Sequence, residues 1–218
     1  EHAGFRVAIL SQPDYKSCER FREFGRPRLG FLVTSGNIDS MVAHYTVSKK
    51  KRNYDYYSPG GKTGLRPDRA VIVYCNRIRE AYGDVPIILG GLEASLRRFA
   101  HYDYWSNQVR RSILVDARAD ILTYGMGEKI LVRLAQLLDK GVPVKKIRDV
   151  RGCVYMAQPD DKIHFDVAET FDYNELKNDK RKYAEAFGVQ YRNQDSISGK
   201  ALVELYDGKA LVQTPPMP

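Results

Sequence analysis

The sequence holds few of the residue patterns that usually announce a chemistry. It has three cysteines, Cys18, Cys75 and Cys153, far apart and odd in number. No CxxC or CxxxCxxC spacing occurs, so a disulfide framework and a zinc site are disfavoured and a reducing cytoplasm is expected. No apolar run approaches the roughly eighteen residues of a membrane span. Neither GxGxxG at dinucleotide spacing nor GxxxxGK[ST] is present, which weakens nicotinamide and P-loop readings. HExxH, a nucleophile elbow and an ordered Ser–His–Asp set are missing too. The opening "EHAGFRVAIL" is neither signal peptide nor tag. It reads as a helix end running into a strand, which suggests a fragment.

What is present is a core and a basic surface. The 218 residues are 43% hydrophobic, enough for one sizeable domain or a domain with a smaller attachment. The net charge is +8. The cations are dispersed over Lys49–Arg52, Arg97-Arg98, Arg110-Arg111, Lys145-Lys146 and Lys177–Lys182. A solvated basic surface is the plain reading, and contact with nucleic acid is the alternative.

Short valine- and isoleucine-rich runs alternate with helical patterns. Strands are expected at Phe5–Leu10, Leu29–Thr34, Val85–Leu89, Ala119–Tyr124 and Val154–Met156. Helices are expected at Asp14–Gly25, at Ile38–Val47 with Asn37 or Asp39 near its cap, from Arg66-Pro67-Asp68 to Tyr82, and at Gly127–Gly141. Lys49–Leu65 reads as a long exposed loop, and Leu92–Val115 as short helices joined by the "AHYDYW" bend. This alternation predicts an α/β fold with a doubly wound, mostly parallel sheet. A charged helix over Asp172–Phe187 and a hairpin around Asp207-Gly208 follow, ending in the extended "PPMP".

In such a sheet, ligands bind beyond the carboxyl ends of the strands. Three strand ends carry small residues with a polar or acidic neighbour. The candidates are Ser35, Asn37 and Asp39, then Gly90, Gly91 and Glu93, then Gly125, Gly127 and Glu128. The glycines permit either close approach by a ligand or tight strand-to-helix turns. His44 and the run His101, Tyr102, Asp103, Tyr104, Trp105 lie toward the same face, with Arg97 and Arg98 just before the run. A His101–Asp103 pair would orient an imidazole, or the aromatic run would simply pack a bend.

At these residues the chain resembles a known family. "ILGGLEAS" and "ADILTYGMGEKILVRLAQLLDKG" are similar to the cobalamin-binding-type domain that precedes many radical SAM domains. "SGNIDSMVAHYT", "YSPGGKTGLRPDRA", "DKRKYAEAFGVQY" and "VQTPPMP" narrow the resemblance to the amino-terminal region of YgiQ-type radical SAM proteins.

The resemblance implies a cobalamin-binding-like α/β domain over residues 1–156. Residues 157–218 would be a helix-plus-hairpin linker to a radical SAM barrel beyond Pro218. The full-length protein would bind a 4Fe-4S cluster and S-adenosylmethionine through a CxxxCxxC loop that this chain lacks. This chain would therefore bind neither and would be an accessory, substrate-side domain, not catalytic on its own. Cobalamin is left open, because no D-x-H-x-x-G motif occurs. The first strand of a flavodoxin-like order would lie upstream of Glu1, leaving an exposed pairing edge. The glycine turns would form a crevice, while His44, Arg97, Arg98 and His101–Trp105 would face the partner domain or the unassigned substrate. A nucleic-acid-binding module and a stand-alone nucleotide-binding protein are the alternatives. Neither a membrane nor a metal in this chain is expected.

Overall fold

The computed structural model describes residues 1–218. Its strands are β1 (Phe31–Val33), β2 (Ile87–Leu89), β3 (His101–Asp103), β4 (Gln108–Arg110), β5 (Ile121–Thr123), β6 (Cys153–Met156), β7 (Val167–Asp172), β8 (Ala201–Tyr206) and β9 (Lys209–Gln213). Its helices are α1 (Ser40–His44), α2 (Ala70–Tyr82), α3 (Gly91–Leu96), α4 (Ile113–Asp116), α5 (Glu128–Asp139), α6 (Tyr173–Asn178) and α7 (Lys180–Arg192). Seven strands form one sheet in the order β1-β2-β5-β6-β9-β8-β7. β1, β2 and β5 pair in parallel, as do β7 and β8, whereas β6 and β9 are joined through antiparallel ladders.

The sheet is wound on both faces, and the strand pleat shows why. Ile87 and Leu89 of β2 join the core built with Val71, Tyr74, Cys75 and Ile78 of α2. Ile88 points the other way, into the cluster with Ile130 and Leu134 of α5. Successive side chains of a strand alternate faces, so a strand apolar throughout must be covered twice. α5 presents Ile130 and Leu134 one turn apart, and Gly141, at φ +80°, stops the chain beyond it. The α/β fold expected from the alternation is therefore present.

The C-terminal hairpin is also where it was expected. Asp207 and Gly208 take φ of 49° and 79°, both positive, as a two-residue hairpin turn requires. It continues the main sheet: Val154, Tyr155 and Met156 of β6 pair with Gln213, Val212 and Leu211 of β9. The boundary drawn at residue 156 thus falls within one continuous sheet.

Several elements differ from expectation. Phe5–Leu10 forms no strand, because no other strand lies beside it and Val7 and Ile9 are exposed. Asp14–Gly25 contains only a 3-10 turn at Glu19–Arg22. The "AHYDYW" bend is a β-hairpin, with His101 opposite Arg110 and Asp103 opposite Gln108. The charged C-terminal helix is two helices, because Asp179 leaves helical geometry and caps α7 through Arg181 N and Lys182 N. β7 went unread because its residues are mostly exposed and it gains its pairing from β8. β1 is an edge strand paired only with β2, and its outer side is free. No helix is long and apolar enough to cross a membrane.

Candidate functional site

The three strand-end turns come together, as β1, β2 and β5 are neighbours. Three of their polar side chains, those of Ser35, Asp39 and Glu93, turn inward. Ser35 Oγ donates to the Ile38 carbonyl at 2.9 Å. Asp39 caps α1 by accepting from Met41 N at 2.9 Å and Val42 N at 3.2 Å, and Arg97 Nη2 pairs with its other oxygen at 2.6 Å. Glu93 is fully buried and accepts from Ser40 N at 2.7 Å and Val71 N at 3.3 Å. One carboxylate thereby satisfies amides in the first turns of both α1 and α2, donors a helix cannot satisfy by itself.

The glycines are explained by neighbours in the same chain. Gly91 has φ +80°, and a Cβ there would stand 2.3 Å from Thr34 Oγ1. A Cβ on Gly90 would be 3.1 Å from Thr123 Oγ1. The space left by these glycines is filled by the adjoining strand ends, so the pair builds a tight turn. Gly125, at φ +72°, has nothing within 4 Å. Asn37, Gly125 and Glu128 are exposed, and Gly127 is half-buried.

The hairpin residues expected at the rim are also tied internally. Arg98 Nε donates to Gln213 Oε1 at 2.6 Å, and its guanidinium lies 5.0 Å from the Tyr124 ring centroid. His101 Nδ1 meets the Phe99 carbonyl at 3.1 Å. Burial pushes the His101 imidazole down to about 4, which leaves it neutral at ordinary pH. Asp103 does not pair with it. Its carboxylate accepts from Arg69 Nη2 at 2.6 Å and from the Ser106 hydroxyl. Tyr102 OH donates to Asn107 Oδ1, and Tyr104 OH donates to the Val47 carbonyl, both at 2.6 Å. Lys49 Nζ sits 4.7 Å from the Tyr104 centroid, and Trp105 packs edge-on against Tyr45 at 6.3 Å. The hairpin tip therefore holds the basic loop.

A histidine–carboxylate pair does exist, between residues distant in sequence. His44 Nδ1 lies 2.8 Å from Asp68 Oδ1, and Tyr45 OH donates to Asp68 Oδ2 at 2.6 Å. Burial raises the Asp68 carboxyl, but the bonds from Tyr45 and His44 outweigh it and hold the group below its ordinary range. The pair borders a cavity of about 270 Å³ that is also lined by Lys51, Arg52, Asp55, Thr63 and Arg66. Arg66 and Asp55 are both buried and bonded at 2.8 Å to each carboxylate oxygen.

A family model described as radical SAM N-terminal matches residues 1–218. The chain belongs to that family. A "UPF0313 protein" of Clostridium botulinum (strain ATCC 19397 / Type A) is 56% identical over 218 residues, which is all of this chain and 34% of the relative. A "UPF0313 protein" of Clostridium perfringens (strain SM101 / Type A) is 54% identical over 219 residues, again all of this chain and 33% of the relative. The chain thus spans about a third of the length of these relatives. No solved structure matches.

The family implies an iron–sulfur cluster, and the residues of this chain do not fit one. Cys18, Cys75 and Cys153 are all buried and lie in separate elements, and burial pushes the Cys75 and Cys153 thiols up to about 12. No three His, Cys, Asp or Glu side chains are grouped to hold a metal ion. A cobalamin cradle is not formed either, since Thr34 occupies the room beside Gly91 and none of the three strand-end turns carries a histidine.

Sequence reasoning named His44 but missed its partner Asp68 and the buried Arg66–Asp55 pair. The "RPDRA" string reads as a helix start, and only the fold brings Asp68 to α1.

Proposed function

We propose that this chain is a substrate-side accessory domain of a radical SAM enzyme. Its strand-end face would seat on a catalytic domain formed by the remaining two thirds of the polypeptide. In this reading the 4Fe-4S cluster and S-adenosylmethionine belong to that other domain, where reductive cleavage supplies a 5′-deoxyadenosyl radical. The contribution of the present residues is to cover the radical site and exclude water and side reactions from it.

One observation carries the reading. Ser35, Asp39 and Glu93 are consumed internally, and exposed apolar side chains stand on the same strand-end elements, beside the exposed Asn37 and Glu128. Leu92 and Leu96, one turn apart on α3, are 46% and 63% exposed, and Met126 in the turn after β5 is 78% exposed. Val42 on α1 is 44% exposed. Apolar groups gathered at one edge of a sheet mark an interaction surface more than scattered ones do. The family match lends no support to the nucleic-acid and stand-alone nucleotide-binding alternatives.

The test is Leu92→Asp with Leu96→Asp in the full-length protein. Both side chains are outside the core, so the domain should keep its thermal stability. The expected result is faster proteolytic cleavage between this domain and the rest, with less 5′-deoxyadenosine formed under reducing conditions. Unchanged cleavage and unchanged turnover would refute the docking face.

A further inference from the structure

The cavity beside His44 carries an inference that does not depend on which face docks. Its floor is organised around an imidazole with one nitrogen committed. Nδ1 lies 2.8 Å from Asp68 Oδ1, which leaves Nε2 as the ring's remaining nitrogen. Nε2 is buried and has no partner in the protein. Buried polar atoms almost always find one, so this orphan on a residue that lines the cavity calls for an explanation.

The charge around the cavity is unbalanced in one direction. Asp55 is matched by Arg66, and Asp68 is occupied by His44 and Tyr45. Lys51 and Arg52 line the same cavity, and neither side chain makes an ion pair within the chain. Thr63 adds a hydroxyl. The unmatched charges are an ammonium and a guanidinium from the loop after α1, and the imidazole of α1 stands beside them. We propose that this cavity binds the phosphate group of a ligand, with Lys51 and Arg52 supplying charge and His44 Nε2 hydrogen-bonding to it. Donors on separate elements suit a tetrahedral dianion better than a planar carboxylate, which a single arginine fork would hold.

The experiment is equilibrium dialysis of the full-length protein against labelled inorganic phosphate, with acetate as competitor. Saturable binding of one phosphate per chain is expected, resisting acetate. Lys51→Ala with Arg52→Ala removes two exposed side chains that support nothing in the fold, and should weaken binding on the order of tenfold or more. His44→Gln, whose amide keeps a hydrogen-bonding group near the Nε2 position, should weaken it less than His44→Ala. No saturable binding up to about 10 mM, beyond the millimolar range of weak specific sites, would overturn the proposal. So would an affinity indifferent to the Lys51/Arg52 change, or equal displacement by acetate. Because Leu92 and Leu96 are not in this cavity, loss of docking with phosphate binding intact separates the two readings.

Discussion

Glu93 Oε2 accepts the backbone N–H of Ser40 at 2.7 Å, joining the helix after β2 to the first turn of the helix after β1. Its other oxygen reaches Val71 N, so this buried acid sets where two helices begin. Glu93→Ala strands both amides in the core. It should cost about 1.5–3 kcal/mol for each charge-assisted bond lost, read as a lower midpoint in urea unfolding. Glu93→Gln should cost less, because its carbonyl oxygen still accepts one of them.

Gly91 and Gly125 offer a paired test of the strand-end turns. Both have positive φ, but only Gly91 has Thr34 in the place of a side chain. Gly125→Ala should cost about 1 kcal/mol in backbone strain alone. Gly91→Ala should cost more, on the order of 2–4 kcal/mol once overpacking is added. Gly91→Ala combined with Thr34→Ala should recover part of the difference in thermal unfolding.

The Arg66–Asp55 ion pair is buried on both sides. Arg66→Met leaves Asp55 uncompensated and should destabilise by about 3–5 kcal/mol. Adding Asp55→Asn removes the stranded charge and should restore much of that loss. A double-mutant cycle by chemical denaturation measures it.

Stability should depend on pH in two windows of opposite sign. Burial raises the Glu204 carboxyl from 4.5 to about 7, against the bonds from Tyr206 and Ala100 N. Between those values the folded state holds a proton that the unfolded state has released, so stability falls as pH rises. Glu204→Gln keeps the acceptor and loses the charge. It should flatten this slope and be the more stable form at pH 8, by up to about 3 kcal/mol. Asp55 and Asp68 act oppositely. Hydrogen bonds hold both below the ordinary 3.8, so their contribution is lost only as pH falls beneath that value. Urea titrations from pH 3 to pH 8 in both proteins decide it.

Elements that bury apolar side chains on a regular period were legible in the sequence. β2, β5 and α5 are of this kind, and the Asp207-Gly208 hairpin adds turn chemistry that only a few conformations satisfy. The misread elements take their structure from distant partners. β7 exists because β8 lies beside it, and Phe5–Leu10 stays single because nothing does. The site divides the same way. Glycine doublets and acids at strand ends drew attention correctly, but the sequence does not say whether Thr34 or a ligand fills the gap. The i, i+2 spacing of His101 and Asp103 suggested a pair, yet Asp103 is held by Arg69, and the pair that forms links residues 44 and 68.

The placement of β6 between β5 and β9 also bears on synthesis. β1, β2 and β5 can associate once residue 123 has emerged from the ribosome, but Tyr155, paired with Ile121, meets its second neighbour, Val212, only after a further stretch of chain emerges. At about 5–20 residues per second that delay is several seconds. During it the nascent sheet carries an apolar strand open on one side, a period in which chaperone capture or pairing with a neighbouring nascent chain competes with completion of the fold.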